Sequence, residues 1–501
     1  MKKFDVLIIG SGMGGLVCGN ILAREGYTVC IVEKNKQLGG NLQIYVRNKV
    51  IFDSGVHYIG GLGKGQNLYQ IFKYLGLMDK LKLEKMDPAF DRILIGGDEK
   101  EYCIMQGYDA FEKEMIREFP AEEKAIRKYT GKILEICDSF PLYRLRIHGD
   151  AEKKEQVMKI SAKQFIESIT QDKKLRAVLA GNNMLYAGAG EATPLYIHAL
   201  TVNSYMESSW RVLDGGSQIA KLLSQNISAS GGAIIRNREV KKLITQDNRV
   251  RSAILQDGTE ITADYFISNT SPANTYRMTD SDLIRPVTRK RMQTMQTTVS
   301  SFILNIVFKK DHFPYLKHNY YYHKAGTVWE MDSYQEANWP LGYAIYLSPG
   351  AKKEFASGMT IFAYMRYDEV KFWADSFNTV SSKQNRGETY EAFKNKKAEQ
   401  LLNLVEERFP GLKKSILHQY TSTPLTFRDY IGSSDGNLYG SVKDFQNPLG
   451  TLVSPKTRIS NLFLTGQYLN LHGILGTAIS GLITSIALTG KDDFIEKIRN
   501  A

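Results

Sequence analysis

The feature that most constrains this chain is a glycine-rich turn near its start, Gly10-Ser11-Gly12-Met13-Gly14-Gly15. It follows the apolar run Phe4 to Ile9, which predicts a buried strand. After the turn, Gly14 to Glu25 has the spacing of a helix, and Thr28 to Glu33 predicts a second strand. This order of elements predicts a βαβ unit and therefore a parallel sheet in an α/β fold.

The glycines of the turn match the spacing G-x-G-x-x-G, in which each glycine has a physical purpose. Gly10 permits the tight turn, Gly12 lets a pyrophosphate approach the backbone, and Gly15 lets the helix pack closely on the sheet. The helix that begins at Gly14 offers N–H groups and a positive dipole end to phosphates. The turn therefore predicts a dinucleotide site, with a glycine-rich turn in an unrelated α/β protein as the alternative.

Glu33 ends the second strand, where an acidic side chain accepts hydrogen bonds from a ribose and repels a 2′-phosphate. This position favours FAD or NAD over NADP, and we include the neighbouring Lys34 in the same site. The pair Gly39-Gly40 follows shortly after the strand, as is common in flavoproteins of the glutathione-reductase type. The continuation of the motif therefore favours FAD as the cofactor.

A second flavin contact is predicted near the C-terminus. Gly466 follows a short strand, and Gly473-Ile474-Leu475-Gly476-Thr477 begins a helix whose N-terminus suits the negative charge of a reduced flavin. The stretch Tyr468 to Gly490 has no charged residue and is long enough to span a bilayer. Its glycines and polar residues favour a buried helix start over a membrane span.

The distribution of these patterns predicts two interleaved domains. We assign 1–90, 205–280 and 445–501 to a Rossmann-type FAD-binding domain, and 91–204 and 281–444 to an α+β substrate domain. Residues 300–308 and 360–366 predict strands of an antiparallel sheet in the second domain, and 110–138 and 388–408 predict surface helices.

Composition narrows the possible partners and the compartment. The net charge is +12, but the basic residues are scattered, so we expect no nucleic-acid partner. The histidines lack compact metal spacing, and we expect no metal site. The cysteines form no CxxC pair, and the start Met1-Lys2-Lys3 precedes an apolar run too short for a signal peptide, so we expect a cytoplasmic protein.

These signals together resemble the family of phytoene desaturases, carotenoid isomerases and retinol saturases, FAD-dependent enzymes that act on long conjugated hydrocarbons. The similarity runs nearly end to end, from the glycine turn to Asn461 through Gly466 and beyond. Within the family, Phe52 to Gly60 is more similar to the retinol saturase branch than to phytoene desaturases. The resemblance implies that Gly55, Val56 and His57 lie beside the flavin.

The resemblance also implies that Val240 holds the adenine through its backbone and that Asn269 lies near the cofactor. The Arg that usually follows the glycine pair in the family is Asn41 here. The implied reaction is hydride transfer at flavin N5 with an apolar polyene, and NAD(P) is a candidate electron donor. His57 is a candidate proton partner, with hydrogen bonding to flavin or backbone as the alternative, and His198 is a further substrate-site candidate.

Several alternatives stay open at this point. Saturation, desaturation and isomerisation of the polyene share one flavin site, and a flavin amine oxidase or a non-catalytic flavin-binding scaffold would share the FAD domain. An apolar substrate also suggests peripheral membrane contact. We expect Leu142 to Ile147 to form an apolar, basic rim for this contact, with an ordinary surface strand as the alternative. The oligomeric state is not predicted.

Overall fold

The computed structural model describes residues 3–501. The predictions that involve Met1 and Lys2, for the domain segment 1–90 and for the start Met1-Lys2-Lys3, therefore lie partly outside the described residues. The strands, in chain order, are β1 (Phe4–Ile9), β2 (Val29–Val32), β3 (Ile44–Arg47), β4 (Val50–Asp53), β5 (Ile59–Gly60), β6 (Leu83–Lys85), β7 (Ala89–Ile95), β8 (Glu101–Met105), β9 (Ser209–Val212), β10 (Ala233–Ile235), β11 (Val240–Gln246), β12 (Arg249–Leu255), β13 (Glu260–Ser268), β14 (Ser300–Phe308), β15 (Asn319–His323), β16 (Gly342–Pro349), β17 (Ala356–Met365), β18 (Ile416–Ser422) and β19 (Leu462–Leu464).

The helices, in chain order, are α1 (Met13–Arg24), α2 (Asn67–Tyr74), α3 (Tyr108–Glu118), α4 (Glu123–Asp138), α5 (Ala151–Met158), α6 (Ala162–Ile169), α7 (Lys173–Leu179), α8 (Leu195–Glu207), α9 (Ser217–Ala229), α10 (Pro272–Met278), α11 (Pro286–Gln293), α12 (Glu388–Arg408), α13 (Leu412–Ser415), α14 (Pro424–Ile431), α15 (Gly473–Thr489) and α16 (Asp493–Arg499). The predicted surface helix 110–138 is divided into α3 and α4 at Pro120, and the prediction for 388–408 matches α12.

The first sheet has the strand order β10-β2-β1-β13-β12-β11, with β19 also paired to β13. The pairs β10·β2, β2·β1, β1·β13 and β13·β19 are parallel, whereas β11, β12 and β13 form an antiparallel extension. Val6 to Ile8 of β1 are fully buried because helices α1, α9 and α15 cover the sheet. The predicted βαβ unit is confirmed, and the chain enters this sheet in three separate segments.

The second sheet has the order β18-β14-β17-β16-β15-β7-β8. All its pairs are antiparallel except β15·β7, so the predicted antiparallel sheet is confirmed. Every residue of β14 is buried, which explains why Phe302 to Phe308, apart from Asn305, are apolar on both faces of the strand and do not alternate with polar residues.

One small element, the hairpin β3-β4, connects the two sheets. The hairpin β3-β4 packs Val50 and Phe52 against Val307 of the second sheet. Asp53, at the end of β4, accepts a hydrogen bond at 2.7 Å from the backbone N–H of Gly216, just before α9 of the first sheet. The segment that follows β4 therefore lies between the two sheets.

The uncharged stretch near the C-terminus forms the interior helix α15. Residues 476–482 of this helix are buried, and α15 packs on α1. Within residues 3–501, no helix combines the length and the hydropathy required to cross a bilayer.

Candidate active site

The glycine-rich turn has the close packing that its sequence predicts. Gly10 has a φ of +91°, which an L side chain rarely adopts. A Cβ atom on Gly15 would lie 2.6 Å from the carbonyl oxygen of Gly10, so a larger residue would push α1 away from β1. The turn thus brings the start of α1 onto the end of β1.

Three segments that are far apart in sequence meet on this turn. A Cβ atom on Gly12 would lie 2.7 Å from the Asn269 amide, and one on Gly14 would lie 2.9 Å from the Cα atom of Gly466. The Asn269 amide nitrogen lies 3.4 Å from the Gly10 carbonyl oxygen, to which it donates a hydrogen bond. Gly10, Gly12, Gly14, Asn269 and Gly466 are therefore one cluster, as the sequence suggested for residues of a common site.

Glu33 fastens the turn to the second strand. One carboxylate oxygen accepts hydrogen bonds from the Ser11 backbone N–H at 2.9 Å and its hydroxyl at 2.7 Å, and the other accepts from the Asn35 N–H at 2.8 Å. The Ser11 hydroxyl oxygen in turn accepts from the N–H of Gly39 at 3.1 Å. A carboxylate with two oxygens keeps acceptor capacity for a ribose hydroxyl beyond these bonds.

The start of α1 is free to bind an anion. Its N-cap residue is Gly12, which has no side-chain hydrogen bond, and the first turn has no acidic residue. The first backbone bond of the helix runs from Leu16 N–H to the Gly12 carbonyl, so the preceding N–H groups have no partner within the helix. These groups and the helix dipole suit a pyrophosphate.

The chain after β2, which carries Lys34, meets the chain before β11, which begins at Val240, because the Arg238 N–H donates to the Glu33 carbonyl at 2.9 Å. Val240 begins β11 and is buried. The Lys34 ammonium donates to the Asp429 carbonyl at 2.9 Å, and burial lowers the pKa of Lys34. Lys34 therefore connects the end of β2 to the end of α14. The sequence did not predict this contact.

The predicted second helix end has the expected position. Helix α15 begins at Gly473, and its N-cap, His472, makes no side-chain capping bond. Ile474 and Leu475 follow in its first turn, where the Thr477 hydroxyl donates to the Gly473 carbonyl at 2.6 Å. No atom lies within 4 Å of a Cβ built on Gly473, so the backbone at this helix start is open.

The motif around Gly55 lies where the two sheets meet. A Cβ atom on Gly55 would lie 3.2 Å from that of Asn41, which places Asn41 and the Gly39-Gly40 pair beside it. Val56 is 9% exposed and faces Gly216. Burial raises the pKa of the nearby Asp53 to about 7.

His57 stacks on a tyrosine of the second sheet. Its ring is parallel to that of Tyr346 in β16, with centroids 4.2 Å apart and planes 6° apart. Desolvation, with a smaller contribution from the positive charge of Arg211, lowers the pKa of His57 to about 3. A ring that is neutral near pH 7 is a poor proton donor, so this geometry favours the alternative in which His57 only orients its neighbours, and its role in the site stays a prediction.

His198 is enclosed in the core on α8. It is fully buried, and both ring nitrogens are within 2.7 Å of a hydroxyl, one of Tyr129 and one of Tyr186. Burial lowers the pKa of His198 to about 3. Both ring nitrogens are therefore occupied by hydroxyl groups, and neither is free to bind a substrate. This arrangement is typical of a histidine with a structural role.

The side chains that line the space next to His57 are aromatic, and sequence reasoning missed them. Tyr58 lies 4.5 Å from Tyr205 and 6.0 Å from Tyr346 between ring centroids, and Tyr439 lies 4.7 Å from His472. Burial raises the pKa of Tyr58, Tyr205, Tyr346 and Tyr439 and lowers that of His472 to about 4. The position of Tyr58 directly after His57 was the one signal that could have indicated this lining.

The predicted membrane rim at Leu142 to Ile147 is wrong. Tyr143 and Leu145 are 2% and 3% exposed, and the Tyr143 hydroxyl donates to the Leu200 carbonyl at 2.9 Å. Arg144 pairs with Asp138 and Glu207 and so is not directed to lipid phosphates. The segment contains a short 3₁₀ helix, Pro141–Arg144, and is no surface strand either.

Two buried polar atoms at the site fit a bound cofactor. Among the described residues, the Thr465 hydroxyl, next to Gly466, and the Gln43 amide nitrogen, just after the Gly39-Gly40 pair, are buried without a hydrogen-bond partner. Buried polar groups are nearly always satisfied, so both indicate a ligand on this side of the glycine cluster. Together with the open helix starts, they match the polar groups of FAD.

Comparisons with known proteins agree with this geometry. The family described as flavin containing amine oxidoreductase matches residues 13–371. The all-trans-retinol 13,14-reductase of Danio rerio is 26% identical over 96% of this chain and 85% of its own length. The chloroplastic prolycopene isomerase of Daucus carota is 25% identical over 96% of this chain and 79% of its own. A solved putrescine oxidase variant superimposes with a TM-score of 0.63 at 12% identity, covering 97% of this chain and 99% of its own.

These similarities confirm the predicted family resemblance, the fold and the cofactor. The fold is that of FAD-binding oxidoreductases, and FAD is the cofactor. The assignment of individual residues to the cofactor, and of the chain segments to two domains, stays a prediction.

Proposed function

Since the chain belongs to the flavin containing amine oxidoreductases, we propose that it uses FAD to act on carbon–carbon bonds of an apolar polyene, such as a retinoid or a carotenoid. Saturation of a double bond, as in the retinol saturases, is the preferred direction. Both curated relatives described above are named for reactions of conjugated polyenes, and both match nearly the whole chain.

The observation that carries the proposal is the lining next to His57. The side chains of Tyr58, Tyr205, Tyr346 and Tyr439 are rings and hydroxyls, and His57 is neutral at physiological pH. None of these five side chains is charged near pH 7, so they suit a long apolar substrate better than an ion. Tyr58 and Tyr346 are buried, whereas His57, Tyr205 and Tyr439 are partly exposed, so this lining leaves aromatic surface for a substrate to contact.

The cofactor contributes the redox chemistry, since bound FAD exchanges a hydride at N5 of its ring. The residues of this chain bind and orient it. The start of α1 would hold the pyrophosphate, Glu33 and Lys34 would flank the ribose, and the Val240 backbone would contact the adenine. The start of α15, from Gly473 to Thr477, would offer a positive dipole end to the negative charge of a reduced flavin.

His57 orients the substrate side of the site. Because its ring is neutral, it acts through its stack on Tyr346 and through hydrogen bonds, and not as an imidazolium acid. His198 keeps α8 in place against α4 and does not touch the substrate. The proton that accompanies the hydride must therefore come from another group.

The decisive experiment is anaerobic. The purified protein is reduced with dithionite and mixed with retinol or a carotenoid extract while the flavin absorbance is followed. Reoxidation by a polyene supports the proposal, and its absence with every polyene tested contradicts it. An amine that reduces the oxidised flavin and yields peroxide would identify an amine oxidase, and no electron exchange with either class would favour a flavin-binding scaffold. NADH and NADPH are tested in the same cuvette as electron donors.

Peripheral membrane contact is the second part of the proposal, because the substrate dissolves in lipid. In a single segment, Phe372 is 85%, Phe377 40% and Val380 66% exposed. Basic side chains (Lys371 and Lys383) and acidic side chains (Asp368 and Asp375) both flank this segment. The charge of the lipid should therefore have little effect on membrane binding. We place the protein in the cytoplasm on the membrane face.

Co-sedimentation with liposomes tests this contact. Neutral and anionic liposomes should both retain the protein, and Phe372→Ala should reduce the bound fraction several-fold. Val287→Ala, which removes a side chain that is 70% exposed on α11, is the matched control. Equal sedimentation of the two variants, or no binding of the wild type, contradicts membrane contact through this segment.

A further inference from the structure

Three buried tyrosine hydroxyls connect the lining of the site to a buried carboxyl. The Tyr346 and Tyr321 hydroxyls are 3.2 Å apart, and the Tyr321 and Tyr58 hydroxyls are 2.7 Å apart. The Tyr58 hydroxyl donates to Asp91 at 2.8 Å. The four residues are between 0% and 8% exposed, so the row of oxygen atoms is continuous and shielded from solvent. We call it the tyrosine row.

The carboxyl at the inner end is unusual because no cation among residues 3–501 forms an ion pair with it. Asp91 accepts from the Asn182 amide at 2.6 Å and from the Asn319 amide at 2.8 Å, in addition to Tyr58. Arg211 is held one residue further away, where its guanidinium donates to the side-chain amide oxygen (Oδ1) of Asn319 at 3.1 Å. Burial without an adjacent ammonium or guanidinium raises the pKa of Asp91 to about 7.

The outer end of the row lies at the proposed site. The Tyr346 ring stacks on His57, whose segment also carries the Gly55-Val56 motif. His57 is neutral near pH 7 and therefore a poor acid, whereas Tyr346, whose ring stacks on it, carries a hydroxyl. The row thus begins at a carboxyl that holds a proton below about pH 7 and ends at the tyrosine on which His57 stacks.

We propose that Asp91, Tyr58, Tyr321 and Tyr346 form a proton relay that delivers the proton of the polyene reaction, with Tyr346 as the final donor. This inference rests on the proposed function and names the proton source of that same site. Asp91, Tyr58 and Tyr321 act through Tyr346 and do not touch the substrate.

The relay balances the reaction. Saturating one double bond adds a hydride to one carbon and a proton to its neighbour. The O–H bond of Tyr346 breaks as the new C–H bond forms, and its oxygen takes a proton from Tyr321. Tyr321 takes one from Tyr58, and Tyr58 takes the proton of Asp91, because the Tyr58–Asp91 hydrogen bond is reversed while Asp91 is protonated. Asp91 becomes a carboxylate and regains a proton from bulk water between turnovers, through local opening of its buried surroundings. Hydroxyls donate and accept, so the links also serve the reverse, desaturating direction.

The charged and titratable groups around Asp91 set the pH range of the relay. Tyr58, Tyr205, Tyr321 and Tyr346 face it as neutral phenols, and Arg211 is the one cation that acts on it among the described neighbours. The relay donates while Asp91 is protonated. The rate of polyene reduction should therefore fall as the pH rises through about 7.

The test breaks the relay at its centre. Tyr321→Phe removes one hydroxyl and keeps the ring, and Tyr343→Phe is the control, because Tyr343 is buried in the same sheet and its hydroxyl has no hydrogen-bond partner. With dithionite-reduced protein and a polyene, Tyr321→Phe should reoxidise about 100-fold more slowly than wild type. It should also lose the fall in rate near pH 7 and the solvent deuterium isotope effect, with an unchanged flavin content. A Tyr321→Phe rate and pH profile equal to those of Tyr343→Phe would overturn the relay.

A second readout needs no substrate. Infrared difference titration of the holoprotein should show a carboxyl that ionises near pH 7, that disappears in Asp91→Asn and that shifts its midpoint in Tyr58→Phe. If wild type reacts with no polyene, the proposed function fails, and the titration alone then decides whether Asp91 and the tyrosine row are coupled. A titration without such a carboxyl, or one that Tyr58→Phe leaves unchanged, overturns the relay.

Discussion

The two sheets of this protein build their halves of the site in different ways. The first sheet contributes backbone: Gly10, Gly12 and Gly14 have no side chain, and what matters is how closely other atoms approach them. The second sheet contributes side chains, above all the hydroxyls of Tyr321 and Tyr346. A site made of backbone atoms is determined by the local turn, which the sequence of a few residues specifies. A site made of side chains from several strands is determined by which strands pair in the sheet.

The largest expected effect on cofactor binding comes from adding a side chain to the glycine turn of the first sheet. Gly15→Val should abolish FAD retention and destabilise the fold by about 1–3 kcal/mol, because its Cβ would lie 2.6 Å from the Gly10 carbonyl oxygen. Gel filtration with flavin absorbance measures the first effect, and denaturant unfolding measures the second. Gly131→Ala on α4, where no atom lies within 4 Å of the added Cβ, is the control and should stabilise the helix by about 0.5–1 kcal/mol. Normal FAD content in Gly15→Val would contradict the glycine-based site.

A substitution of His198 tests whether its two hydrogen bonds serve the stability of the fold or the reaction. His198→Leu leaves the Tyr129 and Tyr186 hydroxyls buried without their partner, so we expect a loss of about 2–4 kcal/mol in the free energy of unfolding. Tyr196→Phe on the same helix removes a buried hydroxyl that has no partner and should change stability little. Flavin reoxidation rates should be the same in both variants. A selective loss of rate in His198→Leu would restore the substrate-site role.

Removal of the negative charge of Glu33, next to the glycine turn, should weaken FAD binding less than Gly15→Val does. Glu33→Gln weakens the acceptor for Ser11 and for a ribose hydroxyl, and we expect FAD to bind about tenfold more weakly, or about 1.4 kcal/mol. Titration of apoprotein with FAD measures this change. An unchanged dissociation constant would show that the carboxylate charge does not contribute to cofactor binding.

The buried histidines should make stability depend on pH. The folded-state pKa is about 3 for His57 and His198 and about 4 for His323 and His472. The unfolded chain binds more protons below about pH 6.5, so stability falls as the pH drops from there to about 4, by up to about 1.4 kcal/mol per pH unit for each ring. Asp53 and Asp91, with pKa values of about 7, act in the opposite direction as the pH rises from about 4 to about 7.

Four histidines outweigh two carboxyls, so the melting temperature should be lower at pH 5 than at pH 7. His198→Leu removes one of the four histidine contributions, so the melting temperature should change less between pH 5 and pH 7. Asp91→Asn removes an opposing contribution, so the melting temperature should change more. Parallel slopes in all three proteins would contradict the burial of these groups as neutral species.

The same contrast explains what sequence could predict. The turn Gly10 to Gly15, helix α1 and strand β14 follow from local patterns, and the structure confirms them. Tyr58, Asp91, Tyr321 and Tyr346 meet because β15 pairs in parallel with β7 and antiparallel with β16, and no local pattern specifies those pairings. Tyr143 was misassigned to the surface because its hydroxyl partners, Leu200 and Asn203, lie on a helix remote in sequence.

The packing of α15 on α1 has a consequence for biosynthesis. The Gly481 backbone lies so close to α1 that a Cβ there would be 2.9 Å from the Gly14 carbonyl oxygen, and the Ser485 hydroxyl donates to the Cys18 sulfur at 3.2 Å. Helix α1 is therefore made long before its partner α15, since Ser485 lies 467 residues after Cys18. We expect the nucleotide site to lack one wall until α15 has been made, so the cofactor should bind only after that point.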